Sequence, residues 1–175
     1  MRAFGPILMV VAGVLAQSSA PLLACGDKFL LVGRGVTFHR AYGAIYPASI
    51  VVYAPPQRNA TKAIRDPRFQ ADLKLAGHRV MVVESDAALA RALESDRVDF
   101  LLTDVADAER LSKQAATAAS APGVLPVMYE PTKDEIKQVE ARYHCQLKSS
   151  DRVDRYLSSI DDAMKARVAL KKKSS

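Results

Sequence analysis

From residue 49 onward, short apolar runs alternate with amphipathic stretches of helical period, and no other feature restricts the fold of this chain so strongly. Ser49-Ile50-Val51-Val52-Tyr53-Ala54 is rich in β-branched residues and is stopped by Pro55-Pro56, as expected of a buried strand. Asp66 then stands as an N-cap before Pro67, and Gly77 lies just past a stripe formed by Phe69, Leu73 and Ala76, which predicts a helix between them. Arg79 to Val83 reads as a second strand. A helix starting at Ser85 or Asp86 turns Leu89, Ala92 and Leu93 toward the core. Val98 to Thr103 reads as a third strand ending at Asp104. The alanine-rich helix after it breaks at Ser120-Ala121-Pro122-Gly123. Leu125 to Tyr129 makes a fourth strand if Pro126 sits at its start, since a proline in the middle removes a ladder donor. Thr132-Lys133-Asp134-Glu135 is a capping box, Tyr143 to Leu147 a short fifth strand ending at Lys148, and Val153, Leu157, Ile160 and Met164 the stripe of a last helix. Apolar strands separated by such helices predict one α/β domain, a single doubly wound sheet of five parallel strands.

The N-terminus has a different character. Met1-Arg2 gives a short positive region, Ala3 to Ala16 is almost wholly apolar, and Gln17-Ser18-Ser19-Ala20 is small and polar, the order of a secretory signal over residues 1–24. The expected location is therefore periplasmic or secreted. Leu22-Leu23-Ala24 before Cys25 also resembles a bacterial lipobox, so a lipoprotein anchored at Cys25 is the alternative, and the only route to a membrane. Cys145 is the only other cysteine. Export favours a Cys25–Cys145 disulfide, which lipidation of Cys25 would exclude. Residues 25–48 form an N-terminal extension in which Phe29 to Val32 and Val36 to Phe38 are strand-like; packed along the fifth strand, it would bring Cys25 near Cys145.

The net charge of +6 does not describe a nucleic-acid-binding face. Arg2 lies in the leader, and Lys165, Arg167, Lys171, Lys172 and Lys173 lie near the end of the chain; without them residues 25–162 are neutral. Residues 169–175 read as a basic, disordered tail after a domain spanning 49–168. Gly33-Arg34-Gly35 reads as a hairpin turn or as an anion site supplied by Arg34 or Arg40. His39, His78 and His144 show no metal-ligand spacing, and His78 in its tight connection is expected in solvent. No phosphate loop, dinucleotide fingerprint, serine elbow or metalloprotease motif occurs, so neither a cofactor, a metal nor catalysis is expected.

Val98-Asp99-Phe100-Leu101-Leu102-Thr103-Asp104 resembles the segment of two-component receiver domains that carries the phosphoacceptor aspartate. Leu147-Lys148 through Leu157, Ile160 and Ala163 resembles the receiver lysine and final helix, and Pro126-Val127-Met128 the start of the fourth strand. The resemblance implies a flavodoxin-like sheet, with Asp104 and Lys148 as a phosphoacceptor pair. It also implies an acidic pair after the first strand to hold Mg²⁺, where this chain has Ala54-Pro55-Pro56. Tyr129 or Thr132 could supply the hydroxyl expected after strand four, and Ser149 replaces the proline that follows the lysine. Asp104 and Lys148 are then either structural, a helix cap and its ion-pair partner, or part of a ligand pocket with Arg34 and Arg40. The expected function is a non-catalytic, exported, receiver-like domain that binds a protein partner or a small ligand. The alternatives are an enzyme or phosphoacceptor using Asp104 and Lys148, and a small periplasmic solute-binding component.

Overall fold

The computed structural model describes residues 43–173, apart from Asp96 and His144. The elements follow the order β1 (Ser49–Tyr53), α1 (Thr61–Arg65), α2 (Pro67–Leu75), β2 (Arg79–Val83), α3 (Asp86–Ser95), β3 (Phe100–Asp104), α4 (Val105–Thr117), β4 (Gly123–Met128), α5 (Lys133–Arg142), β5 (Leu147–Lys148) and α6 (Val153–Lys173). The five strands lie in the order β2-β1-β3-β4-β5, and every neighbouring pair is parallel. This is the doubly wound five-stranded sheet that the alternation predicts, in the flavodoxin-like order that the resemblance implies.

The strand period of two divides the core into two layers. Ile50, Val52, Phe100 and Leu102 pack on one face with Ile64 of α1, Phe69 and Leu73 of α2, and Tyr156, Leu157 and Ile160 of α6. Val51, Tyr53 and Leu101 pack on the other with Leu89 and Leu93 of α3 and Leu111 and Ala115 of α4. Full burial of each such Leu or Ile contributes about 1.5–3 kcal/mol.

Helix boundaries follow the local punctuation. Asp66 accepts from Arg68 N–H at 2.8 Å with Pro67 first in α2, and Gly77 ends that helix at φ +99°, a conformation that glycine adopts without strain. The capping box at α5 is complete in both directions. The one-turn helix α1 has no counterpart in the sequence reading. It forms where the Thr61 hydroxyl lies within hydrogen-bond distance of the Pro55 and Arg58 carbonyls, at 3.0 and 2.7 Å, and tightens the loop.

Three expectations about the strands and the last helix need correction. Pro126 is the fourth residue of β4, not near its start. Gly123 N–H donates to Asp99 O of the β3 side, so by alternation the nitrogen of Pro126 points to the β5 side. Pairing with β5 begins only at Val127↔Leu147, so no ladder bond is lost. The fifth strand is Leu147–Lys148 rather than Tyr143 to Leu147, because α5 runs to Arg142 and the chain then crosses to the sheet edge; Cys145 thus lies just ahead of the strand, buried in the α6 layer. Finally, α6 continues to Lys173, through much of the expected disordered tail, since no glycine or proline interrupts it.

Helix α6 ties distant parts together. The Tyr156 hydroxyl donates to Lys148 O at 2.8 Å, and its ring meets Phe69 edge-on at 4.8 Å. Burial pushes that hydroxyl's pKa well up. The Asp161 carboxylate accepts from Ile45 and Tyr46 N–H at 3.3 and 3.2 Å, while Arg167 donates to the carbonyls of Ser120 and Ala121. Residues 44–48 therefore attach to α6, to Ala76 just after α2, and to His78. The strand-like pieces before residue 43 lie outside the described residues. No helix among the described residues is long and apolar enough to cross a membrane.

His78, expected in solvent, is 4% exposed. Its Nδ1 accepts from Ala48 N–H at 3.1 Å, and its Nε2 is buried without a partner. Burial lowers its pKa, with the charge of Asp161 opposing. The unfolded state therefore binds a proton first as pH falls through the ordinary histidine value of 6.5. Stability from neutral His78 is complete above that value and is lost as pH drops toward the lower folded-state value. Urea denaturation at about pH 7.5 and about pH 5 should show the native chain weakening more on acidification than His78→Asn, which keeps a short acceptor for Ala48 but does not titrate.

Candidate functional site

Where the order of a parallel sheet reverses, the connections leave in opposite directions and open a crevice beyond the strand ends. Here the reversal falls between β1 and β3, so Tyr53 and Asp104 stand at its floor. Pro55-Pro56 turn the chain out of the sheet, and the clamp at Thr61 folds the following loop back over the strand ends.

That loop carries Arg58 into the crevice. Its Nε and Nη2 donate to Asp107 Oδ2 and Oδ1 of α4 at 3.0 and 3.2 Å, a bidentate pair. Arg110, one turn along α4, reaches Asp107 Oδ1 at 3.4 Å and Asp86 Oδ1 at 2.9 Å. It also donates to the Tyr53 hydroxyl at 3.2 Å, and its guanidinium carbon lies 5.6 Å from the Tyr53 ring centre. The Tyr53 hydroxyl in turn donates to Asp86 Oδ1 at 2.8 Å. Burial, then this hydrogen bond, raises the Tyr53 pKa, while the same bond lowers that of Asp86. The hydrogen bond from Arg58 to Asp107, reinforced by the charges of Asp107 and Asp104, raises the Arg58 pKa. The crevice is thus filled by two guanidinium groups of the chain itself, matched to carboxylates on α3 and α4.

Asp104 is buried and caps α4, accepting from Ala106 N–H at 2.8 Å. Lys148 is fastened by its backbone, whose N–H donates to Asp151 Oδ2 at 2.7 Å and whose carbonyl accepts from Tyr156. Among the described residues no ion pair joins Lys148 to Asp104 or to any other residue. Arg34, Arg40 and Cys25 lie outside the described residues. The Cys145 sulfur is buried 3.9 Å from Ser159 O. Thr132 is the N-cap of α5, so its hydroxyl serves the helix. Among the described residues no group of three or more His, Cys, Asp or Glu side chains is placed to hold a metal ion.

A second feature lies beside this crevice. Between α4 and α5, beyond the end of β4, a groove of about 300 Å³ opens. Met128, Tyr129 and Pro131 line it from the strand end, Val105, Ala106 and Glu109 from α4, and Glu135, Val139, Arg142 and Tyr143 from α5 and its end. An ion pair of 3.7 Å between Arg142 and Glu109 spans it. Glu130 at its edge has φ +44°, although Pro131 follows. The groove exists because α5 buries only Val139 among its side chains. Tyr129 is visible in the sequence only as one of two hydroxyls near the end of strand four, and Arg58, Asp107 and Arg110 carry no motif at all. The one local signal is the acid–base spacing of three between Asp107 and Arg110.

Arg58→Ala should lower stability in urea by about 1 kcal/mol, because it strips the bidentate partner from buried Asp107, while the 43% exposure of the arginine limits the loss. Lys113→Ala, which removes an exposed pair with Glu109, should change stability by less than about 0.5 kcal/mol.

No protein-family model matches the chain, and no curated protein is significantly similar to it.

Proposed function

We propose that this chain is an exported, non-catalytic, receiver-like domain that acts by binding a protein partner or a small ligand in the cell envelope. The observation that carries this reading is the Arg58–Asp107–Arg110 network in the crevice between β1 and β3. Phosphoryl transfer onto an aspartate needs a divalent cation held by carboxylates beside the acceptor. Ala54-Pro55-Pro56 offers no carboxylate after β1, Asp107 is committed to two arginines, and Asp104 spends an oxygen on its helix cap. These features weigh against the rival reading, a phosphoacceptor or enzyme using Asp104 and Lys148. A solute-binding component of the two-lobed kind is weighed down by the single sheet.

Export rests on residues 1–24, and the fate of Cys25 follows from it. A Cys25–Cys145 bridge would close a loop of about 120 residues and stabilise the fold by roughly 4 kcal/mol on chain-entropy grounds. Lipidation of Cys25 would instead anchor the domain at a membrane surface and exclude the bridge.

Incubation of the full chain with Mg²⁺ and acetyl phosphate should yield no mass increase of one phosphate. Stoichiometric labelling at Asp104 would overturn the non-catalytic reading. Fractionation of expressing cells should place a shortened protein outside the cytoplasm, whereas an intact cytoplasmic species starting at Met1 would count against export. Thiol titration of the unfolded, unreduced mature protein should find none if the bridge forms. One reactive thiol with partition into detergent marks the lipid anchor, and two rule out both fates.

A further inference from the structure

We infer that the groove between α4 and α5 is a binding site for an organic cation, an ammonium or guanidinium carried on an apolar stem. The inference rests on the binding reading above and names the chemistry of the ligand.

The floor and walls of the groove combine three properties. Met128 and Val139 provide an apolar interior that disfavours a strongly hydrated ion such as Mg²⁺. Tyr129 and Tyr143 add two aromatic side chains, and Tyr129 remains 49% exposed although every strand residue before it in the second half of β4 is buried. Aromatic faces attract cations that shed their water easily, which is the property of alkylammonium and guanidinium groups.

The charge at the rim has the matching sign. Glu109 and Glu135 line the groove with one cation, Arg142; Glu109 pairs with that arginine at 3.7 Å and, outside the groove, with Lys113 at 3.2 Å. Glu135 is the lining carboxylate with no ion-pair partner among the described residues. Its carboxylate accepts from the backbone N–H of Thr132 at 2.7 Å and from its hydroxyl at 2.9 Å, and these bonds hold its pKa below the usual value. It stays ionised and fixed in place at neutral pH. An anion would meet this unpaired carboxylate, and a purely apolar ligand would leave it unused.

The volume of about 300 Å³ is at the small end for ligand sites, enough for a compact amine or for one basic side chain of a partner. The shared chemistry has these two sources, and the test separates them.

The full chain is titrated with choline and with its neutral isostere, in which carbon replaces the quaternary nitrogen. A short lysine-containing peptide is titrated beside its norleucine counterpart. Backbone amide shifts at Ala106, Tyr129 and Val139, with tyrosine fluorescence as a second signal, report occupancy. The charged member of at least one pair should bind at least about tenfold more tightly than its neutral partner. Preference for choline assigns a small amine, and preference for the peptide assigns a basic side chain of a protein. Tyr129→Ala should weaken the favoured cation about fivefold to tenfold, while Tyr129→Phe, which keeps the ring, should bind within about twofold of the native chain. Circular dichroism checks that both variants fold. If the neutral members bind as tightly as the charged ones, the cation assignment is overturned while the groove stands as a binding site. If none of the four shifts these amides, the cation site is refuted and the small-ligand form of the proposed function loses its support.

Discussion

The pairing of β1 with β3 is the constraint on which the rest of this protein depends. Both strands are interior to the sheet, and every residue of β3 is buried. Two parallel strands cannot be joined by a tight turn, so each connection has to carry a helix over a face. The first crossover places α1 and α2 on one face and the next two place α3 and α4 on the other. The reversal between them leaves the ends of β1 and β3 without a connection passing over them. The crevice is thus a consequence of topology rather than of any residue lining it, and what the chain puts there is a separate decision.

Helix α6 shows how the sheet is then closed. Along one element, Tyr156 holds the backbone of Lys148, Asp161 gathers the backbone ahead of β1, and Arg167 satisfies two carbonyls in the turn before β4. Three polar contacts at different heights fix the helix against the β5 edge and the sheet's amino end, while Leu157 and Ile160 supply the apolar burial. The same helix explains why a two-residue edge strand is sufficient. β5 is held by the Tyr156 hydroxyl and by Asp151 as much as by its ladder.

What could be read from the sequence was whatever is decided within a few residues. The cap at Asp66, the glycine stop at Gly77 and the box at Thr132 and Glu135 are complete in local sequence, and the structure has all of them. Whatever depends on a distant partner was not legible. Pro126 is tolerated in mid-strand only because β5 is short, which residues near 126 cannot announce. His78 is buried because Ala48, 30 residues earlier, needs an acceptor. Arg58 meets Asp107 across 49 positions, so the loop after Pro55-Pro56 looked only like a place where carboxylates were missing. The sequence exposed the gap and concealed its filling.

The filling has a consequence for where such a protein can bind anything. Partly exposed arginine–aspartate pairs add little net stability, but once Asp107 is buried its partners cannot be withdrawn without leaving a charge uncompensated. An incoming ligand would have to outcompete guanidinium groups that are tethered to the chain and therefore present at high effective concentration. The crevice is in this sense self-liganded and little available to a partner. Room for a ligand lies instead where packing is incomplete. That place is one strand further along the same end of the sheet, beneath α5, the helix that contributes only Val139 to the interior. Here the Tyr129, Glu109 and Glu135 side chains line the groove without filling it, and the Arg142–Glu109 pair across it is solvent-exposed on both sides and weak enough to open.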